Sequence, residues 1–148
     1  MQLLPLTDDS GALIAPEWLI AAEPVHRQLR PSLPADYAGR IAAVCTAGGR
    51  LVVATDGERV LGLALWRVIE NTYEGRRLYV DDLVTSAADR SQGVGRALLA
   101  WLTEQANAQG CDVLALDSGV QRAGAHRFYF REGMSIASYS FKKNLRMA

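Results

Sequence analysis

The sequence has little that would tie it to a membrane, a metal or an oxidising compartment. Its two cysteines, Cys45 and Cys111, stand far apart among apolar neighbours, too few and too separated for a disulfide framework. Both are expected as free thiols in a reducing compartment. No apolar run approaches the roughly 20 residues of a membrane-spanning helix. The opening residues Met1 to Leu6 also lack the basic start, apolar run and cleavage site of a secretory signal, so the cytoplasm is the expected location. Neither sign of charge prevails. Sixteen basic residues balance sixteen acidic ones, and no global field draws the chain toward nucleic acid or an anionic membrane. The two histidines and two cysteines are isolated from one another, so no group has metal-ligand spacing and no metal is expected. Repeats, low-complexity tracts and flexible linkers are missing as well. A length of 148 residues suits one core, and a single domain over residues 1–148 is expected.

What is present changes period along the chain. A short strand is expected over about Gln2 to Leu6, then helical pieces to about Leu29, broken at Pro16 and Pro24. A second helix, about Pro34 to Thr46, carries Tyr37, Ile41, Val44 and Cys45 at three-to-four spacing and ends before Gly48. The middle third is rich in β-branched residues. Leu51 to Thr55 and Val60 to Ile69 are joined at Asp56-Gly57, and a turn at Asn71 to Gly75 leads into Arg77 to Thr85, an antiparallel meander. From Arg96 to Gln109, Leu98, Leu99, Leu102 and Ala106 mark one helix face, and Gly110 ends it. Val113 to Leu116 reads as a buried strand, parallel to Arg77–Thr85 or its neighbour after the helical crossover. A last helix, about Ala123 to Glu132, and a terminal strand, about Ser135 to Asn144, complete the chain.

The segment Arg90-Ser91-Gln92-Gly93-Val94-Gly95 lies between a strand and a helix, so its backbone N–H groups gather at a helix N-terminus and form an anion site. The glycines let an anion approach the backbone without meeting a Cβ. Arg90 and Arg96 oppose the helix dipole there, each at a cost of roughly 0.3 to 1 kcal/mol, unless an anion sits between them. Their placement points to a bound pyrophosphate. The dinucleotide fingerprint would need a glycine where Leu98 stands, and the NTPase loop would need Gly-Lys-Ser/Thr, which is missing.

With this loop, the strand Leu78-Tyr79-Val80-Asp81-Asp82-Leu83-Val84-Thr85 and the run Ala125 to Met134, the sequence resembles the Gcn5-related N-acetyltransferase (GNAT) family over about Leu61 to Met134. The resemblance implies an α/β (α+β) fold. It would have a mixed, mostly antiparallel sheet of six or seven strands, about four flanking helices, and a parallel pair splayed at the acetyl coenzyme A site. It also implies that Ser91, Gln92, Gly93, Val94, Gly95 and Arg96, with Arg90, hold the coenzyme A pyrophosphate. The backbone of Leu83, Val84 and Thr85 would pair with the pantetheine arm. Ala87 stands where the family often has proline. Arg122, at a position facing the cofactor, stands where it often has asparagine.

Acetyl transfer to an amine needs a proton acceptor, a donor to the thioester oxygen and a proton for the departing thiolate. Asp81 and Asp82 are the candidate acceptors. Consecutive strand residues face opposite sides, so one of them would enter the cleft, and a bulge common in the family at this point leaves the choice open. A backbone N–H near Leu83 or Val84 would meet the oxyanion. Tyr129 shares a helix face with Ala125 and Phe128. Its phenol, with a pKa near 10, can protonate a thiolate of pKa about 8.5, and by resemblance it is the general acid.

His26 could line the acceptor site, although a solvated helix face is the preferred reading, and His126 is read as a packing or surface residue. Trp66, Glu70 and Tyr73, with Trp18 and Glu74, are the candidate acceptor contacts, because acids with aromatics suit a cationic amine. The expected function is transfer of acetyl to the primary amine of a small molecule. The alternatives are a protein or peptide amine acetyltransferase and a non-catalytic coenzyme A-binding module. A sheet edge left open by the short C-terminus suggests a homodimer.

Overall fold

The computed structural model describes residues 1–146. It falls into two compact units, Met1–Leu116 and the segment from Asp117 onward. In the first unit, strands β1 (Gln2–Pro5), β2 (Arg50–Thr55), β3 (Val60–Asn71), β4 (Gly75–Thr85) and β5 (Val113–Leu116) form one sheet in chain order. The first four pair antiparallel and β5 pairs parallel to β4. Helices α1 (Pro16–Leu29) and α2 (Tyr37–Thr46) precede β2, and α3 (Val94–Ala108) makes the crossover from β4 to β5.

The alternation of side chains along the strands divides the core in two. Leu51, Val53, Leu63, Leu65 and Val84 pack with Leu19, Ala22, Val25, Tyr37 and Ile41 of α1 and α2. Val52, Ala54, Ala64, Trp66, Leu78 and Val80 pack on the other face with Val94, Leu98 and Leu102 of α3. The result is three layers, helix pair, sheet and helix. Gly62 is where β3, β4 and α3 come closest. A Cβ there would sit 2.7 Å from the Val84 carbonyl and 2.8 Å from Val94 Cγ1.

The first helix is one piece and not a series broken by prolines. Pro16 occupies the opening position, where no intrahelical donor is needed. Pro24 lies inside but on the exposed face, as does Ile20, so the carbonyl that proline leaves without a partner is on the side of the helix open to water. The second helix starts at Tyr37, later than Pro34, because Asp36 caps it by accepting from the Gly39 N–H at 2.9 Å.

In the second unit, α4 (Ala123–Arg131) ends in a Schellman turn. Gly133 is left-handed at φ 85°. The Gly133 and Met134 N–H groups bond the Phe130 and Tyr129 carbonyls at 3.1 and 3.0 Å. The strand expected over Ser135 to Asn144 does not form, so the sheet has five strands among the described residues and not six or seven. Ile136, Tyr139 and Phe141 are exposed, Phe141 to 93%. Strand propensity without a ladder partner or a buried face does not hold a strand in water.

Candidate active site

β4 is irregular where its chemistry lies. Leu65 of β3 faces Asp82, but the next residue, Trp66, faces Val80, so Asp81 is an extra residue bulged from the ladder. This changes the parity. Asp82 shares the α1/α2 face with its partner Leu65. Asp81 also turns to that side, where its carboxylate accepts from Arg67 Nε at 2.8 Å, two residues from Leu65 on the same strand. Simple alternation separates the two carboxylates, and the bulge brings them to one face.

Asp82 ends a buried chain of hydrogen bonds that starts on the helices. Its Oδ2 lies 2.7 Å from His26 Nε2, and His26 Nδ1 lies 2.8 Å from the Tyr37 hydroxyl. With a proton on Nε2, every group is satisfied. Tyr37 donates to Nδ1 and Nε2–H donates to the carboxylate. Arg30 at the end of α1 donates through Nε to Oδ1 at 2.8 Å and through Nη2 to the Asp81 carbonyl at 3.2 Å.

The Asp82 side chain is 10% exposed. Burial alone would raise its pKa, but the hydrogen bonds from His26 and Arg30, with the charge of Arg30, bring it below the ordinary carboxylate value. For Asp81 burial prevails over Arg67, and its carboxyl is pushed up. Burial likewise raises the Tyr37 hydroxyl, with the nearby charges of Glu23 and Asp82 adding to it.

His26 is therefore not on a solvated face; it is 1% exposed. The signal was present in the sequence, since Leu19, Ala22, His26 and Leu29 recur at helical spacing on one stripe.

A pocket of about 460 Å³ opens beside this network, with Asp82, His26, Arg30, Arg40, Ile41 and Leu65 on its walls. The connection between α1 and α2 forms its rim. Arg27 pins that connection by donating to the Leu33 and Pro34 carbonyls, each at 2.6 Å.

On the other side of Asp82 the sheet opens. Pairing of β4 with β5 ends at Val80 opposite Leu116, while β4 continues to Thr85. Among the described residues, 81–85 thus have no ladder partner on the β5 side. The chain then makes one 3-10 turn, Ala87–Asp89, and an exposed loop before α3. Asp89 is buried and holds this loop through Arg59, whose Nη2 and Nη1 lie 2.9 and 3.3 Å from its two oxygens. Ser91 and Gly93 both have positive φ, 64° and 81°. No side chain caps the N-terminus of α3, and a Cβ on Gly93 would meet nothing within 4 Å. Arg90, Ser91, Gln92 and Arg96 are exposed around these amides, Gly95 is half-buried, and Val94 is buried beneath them.

The candidate acceptor contacts do not gather at the pocket. Trp66 faces α3, edge-on to Trp101 at 6.0 Å. Glu70 pairs with Arg76 across the base of the β3–β4 hairpin, and Glu74 pairs with Arg77. Tyr73 is exposed at the hairpin turn. Trp18 packs against the α1/α2 core.

In the second unit, Tyr129 sits mid-way along α4, edge-on to Phe128 at 5.4 Å. Burial raises its phenol above the usual value, with Arg122 opposing. Arg122 is the residue before the first turn of α4. His126 Nε2 donates to the Gly119 carbonyl at 2.8 Å, a local bond that closes the turn leading into the helix.

The sequence model of the acetyltransferase (GNAT) family matches residues 15–134. The chain belongs to the GNAT family. An uncharacterised N-acetyltransferase, YhdJ, of Bacillus subtilis (strain 168) is 36% identical over 132 residues, 86% of this chain and 91% of that one. The aminoalkylphosphonate N-acetyltransferase of Salmonella typhimurium (strain LT2) is 38% identical over 66 residues, 45% of this chain and 43% of its own length. In fold, the chain is similar to the aminoglycoside N-acetyltransferase AAC(6′)-Iy in complex with coenzyme A. The TM-score is 0.81 at 14% identity, covering 99% of this chain and 95% of that one.

The GNAT site requires a cradle for a diphosphate and a free strand edge for an extended arm. The residues present fit both. The α3 amides are uncapped, Gly93 leaves room over them, two arginines flank them, and the edge at 81–85 is unpaired. Leu83, Val84 and Thr85, to which the family resemblance assigns the arm, lie on the part of β4 that β5 does not pair with.

Proposed function

We propose that the chain is an acetyl coenzyme A-dependent N-acetyltransferase that acylates the primary amine of a small molecule by direct attack on the thioester. It works as one domain over residues 1–148, in the cytoplasm. The observation that carries this reading is the arrangement around β4. A pocket with a buried carboxylate lies on one face of the strand at Asp82, and the open edge leading to the α3 amides begins at the adjoining residues. A volume of about 460 Å³ suits a small acceptor.

Acetyl coenzyme A supplies the acetyl group as a thioester. The amides of residues 91–96, with Arg90 and Arg96, hold its diphosphate, and Arg122 adds a side-chain donor. The backbone of Leu83, Val84 and Thr85 pairs with its arm, and an N–H near Leu83 or Val84 stabilises the developing oxyanion. Asp82, on the pocket wall, takes the amine proton. Held below the ordinary carboxylate range, it remains ionised at neutral pH. As the carbon–nitrogen bond forms the nitrogen becomes acidic, so a carboxylate of low pKa is base enough. Asp81, bulged onto the same face, is the second candidate for this proton. Tyr129 Oη gives a proton to sulfur as the carbon–sulfur bond breaks, and solvent then restores both groups.

Acetyl coenzyme A turnover across a panel of amines tests the proposal, with Tyr129→Phe as the control. Turnover of an amine, lost in the variant while calorimetry still records coenzyme A binding, supports it. No turnover and no heat of binding refutes it. The chain is further proposed to be a homodimer, because β5 pairs with β4 alone and Ile136, Tyr139 and Phe141 stand exposed on a segment of strand-like sequence. A sedimentation mass of one chain at micromolar concentration would exclude that.

A further inference from the structure

We infer that the acceptor carries an oxyanion, a carboxylate or phosphonate, in addition to its amine, and that Arg40 with the spare donors of Arg30 binds it. This rests on the acetyltransferase reading above and names its acceptor class.

The argument is a count of what the pocket has left to offer. Asp82 is the one carboxylate on the pocket wall. One of its oxygens already accepts from Arg30 and the other from His26. Asp81, on the same face, is held by Arg67. Glu23, on α1, is held by Arg27. No acid on the wall is spare to take a second ammonium, so a polycation would meet arginines there without compensation.

The donors are in surplus. Arg30 spends Nε and Nη2 on Asp82 and Asp81, leaving Nη1 for a ligand. Arg40 also lines the pocket, and its guanidinium makes no hydrogen bond or ion pair among the described residues. Its place in the fold adds to this. Arg40 lies in the first turn of α2, where a cation opposes the helix dipole, and the acid nearest in sequence, Asp36, accepts from the Gly39 N–H and not from Arg40. An arginine facing a pocket from a helix N-terminus is an unfavourable arrangement that an oxyanion would relieve. The planar guanidinium matches a carboxylate or phosphonate edge with two parallel hydrogen bonds.

The test is a series of primary amines of one chain length. An aminoalkylphosphonate and the matching aminoalkyl carboxylate carry the anion, the amino alcohol lacks it, and the diamine reverses it. The expected result is a kcat/KM for at least one anionic amine about tenfold or more above the amino alcohol, with the diamine poorest. The ratio between phosphonate and carboxylate tells which oxyanion the site takes. Arg40→Ala should remove the advantage by raising KM while kcat stays within about twofold, and Arg40→Lys should restore part of it. Calorimetry of the anionic amine against the coenzyme A complex should lose its heat in Arg40→Ala, a readout independent of turnover.

Equal or better turnover of the amino alcohol or diamine, or an unchanged preference in Arg40→Ala, overturns the inference and leaves the acetyltransferase reading standing. Failure of every amine together with absent coenzyme A binding overturns both. Arg40 is exposed, so matching thermal melts should show that the alanine variant is folded.

Discussion

Replacing Asp82 by asparagine tests the buried network directly, because it removes a charge while keeping the shape. In the wild type, the carboxylate receives one hydrogen bond from a buried imidazole and others from a guanidinium that is 52% exposed. Asparagine can still accept from His26 Nε2–H through Oδ1, but its NH2 group must then face Arg30. The loss is the charge-assisted part of the His26 bond, plus a smaller contribution from the solvent-screened Arg30 pair. Together these come to about 2 kcal/mol at pH 7, or about 4–8 °C in Tm for a chain of this size.

The effect carries a pH signature. The folded-state pKa of Asp82 lies below its unfolded value. Its stabilisation is therefore fully present above the ordinary carboxylate value near 4, and is lost as pH falls through the folded pKa. Urea unfolding of both proteins from pH 7 to pH 3 should show the gap between them narrow at the acid end. A gap constant over this range, or an asparagine variant as stable as the wild type at pH 7, would refute the network as drawn.

Three further outcomes are expected. Tyr129→Phe should lower kcat about 10²- to 10³-fold while leaving the calorimetric Kd for coenzyme A within about twofold. Gly62→Ala should cost about 1–3 kcal/mol in denaturant unfolding, because its Cβ would meet the Val84 carbonyl at 2.7 Å and rigid backbone cannot give way. Asp89→Asn, which removes the buried anion from Arg59 at the start of the loop proposed to hold the diphosphate, should weaken coenzyme A binding several-fold and cost about 1–3 kcal/mol, read by calorimetry and thermal melting.

Much of this was legible in the chain because it rests on local signals. The β-rich runs gave β2 to β4, and the apolar stripe of Leu98, Leu99 and Leu102 gave α3, whose start was expected at Arg96 and lies two residues earlier, at Val94. Parallel pairing of β5 followed from the length of the crossover. What was not legible depends on partners distant in sequence. The shared face of Asp81 and Asp82 comes from a slip in register with β3, which alternation along one strand cannot reveal and which only the family resemblance had raised. His26 was weighed as an acceptor-site residue but read first as lying on a solvated face, although it sits on the buried stripe of α1. Its partners, Tyr37 and Asp82, come from two other elements. The acceptor contacts were sought among acids and aromatics of the N-terminal helices and the hairpin. There Glu70 and Glu74 are already paired with Arg76 and Arg77, and Trp66 points to the opposite face. The terminal strand failed for a different reason, since propensity was read without asking what would bond to it.

The five residues by which β4 outruns β5 bear on tolerance to change. Recognition through main-chain amides and carbonyls is blind to side-chain identity. Leu83 and Thr85 can therefore drift among strand-forming residues without disturbing a ligand that docks along that rim. Proline is the exception, since it deletes a donor and fixes φ. A mutational scan of Leu83, Val84 and Thr85 should look permissive at the first and last, with intolerance confined to proline and to substitutions at the buried Val84, in contrast to Asp81 and Asp82 beside them.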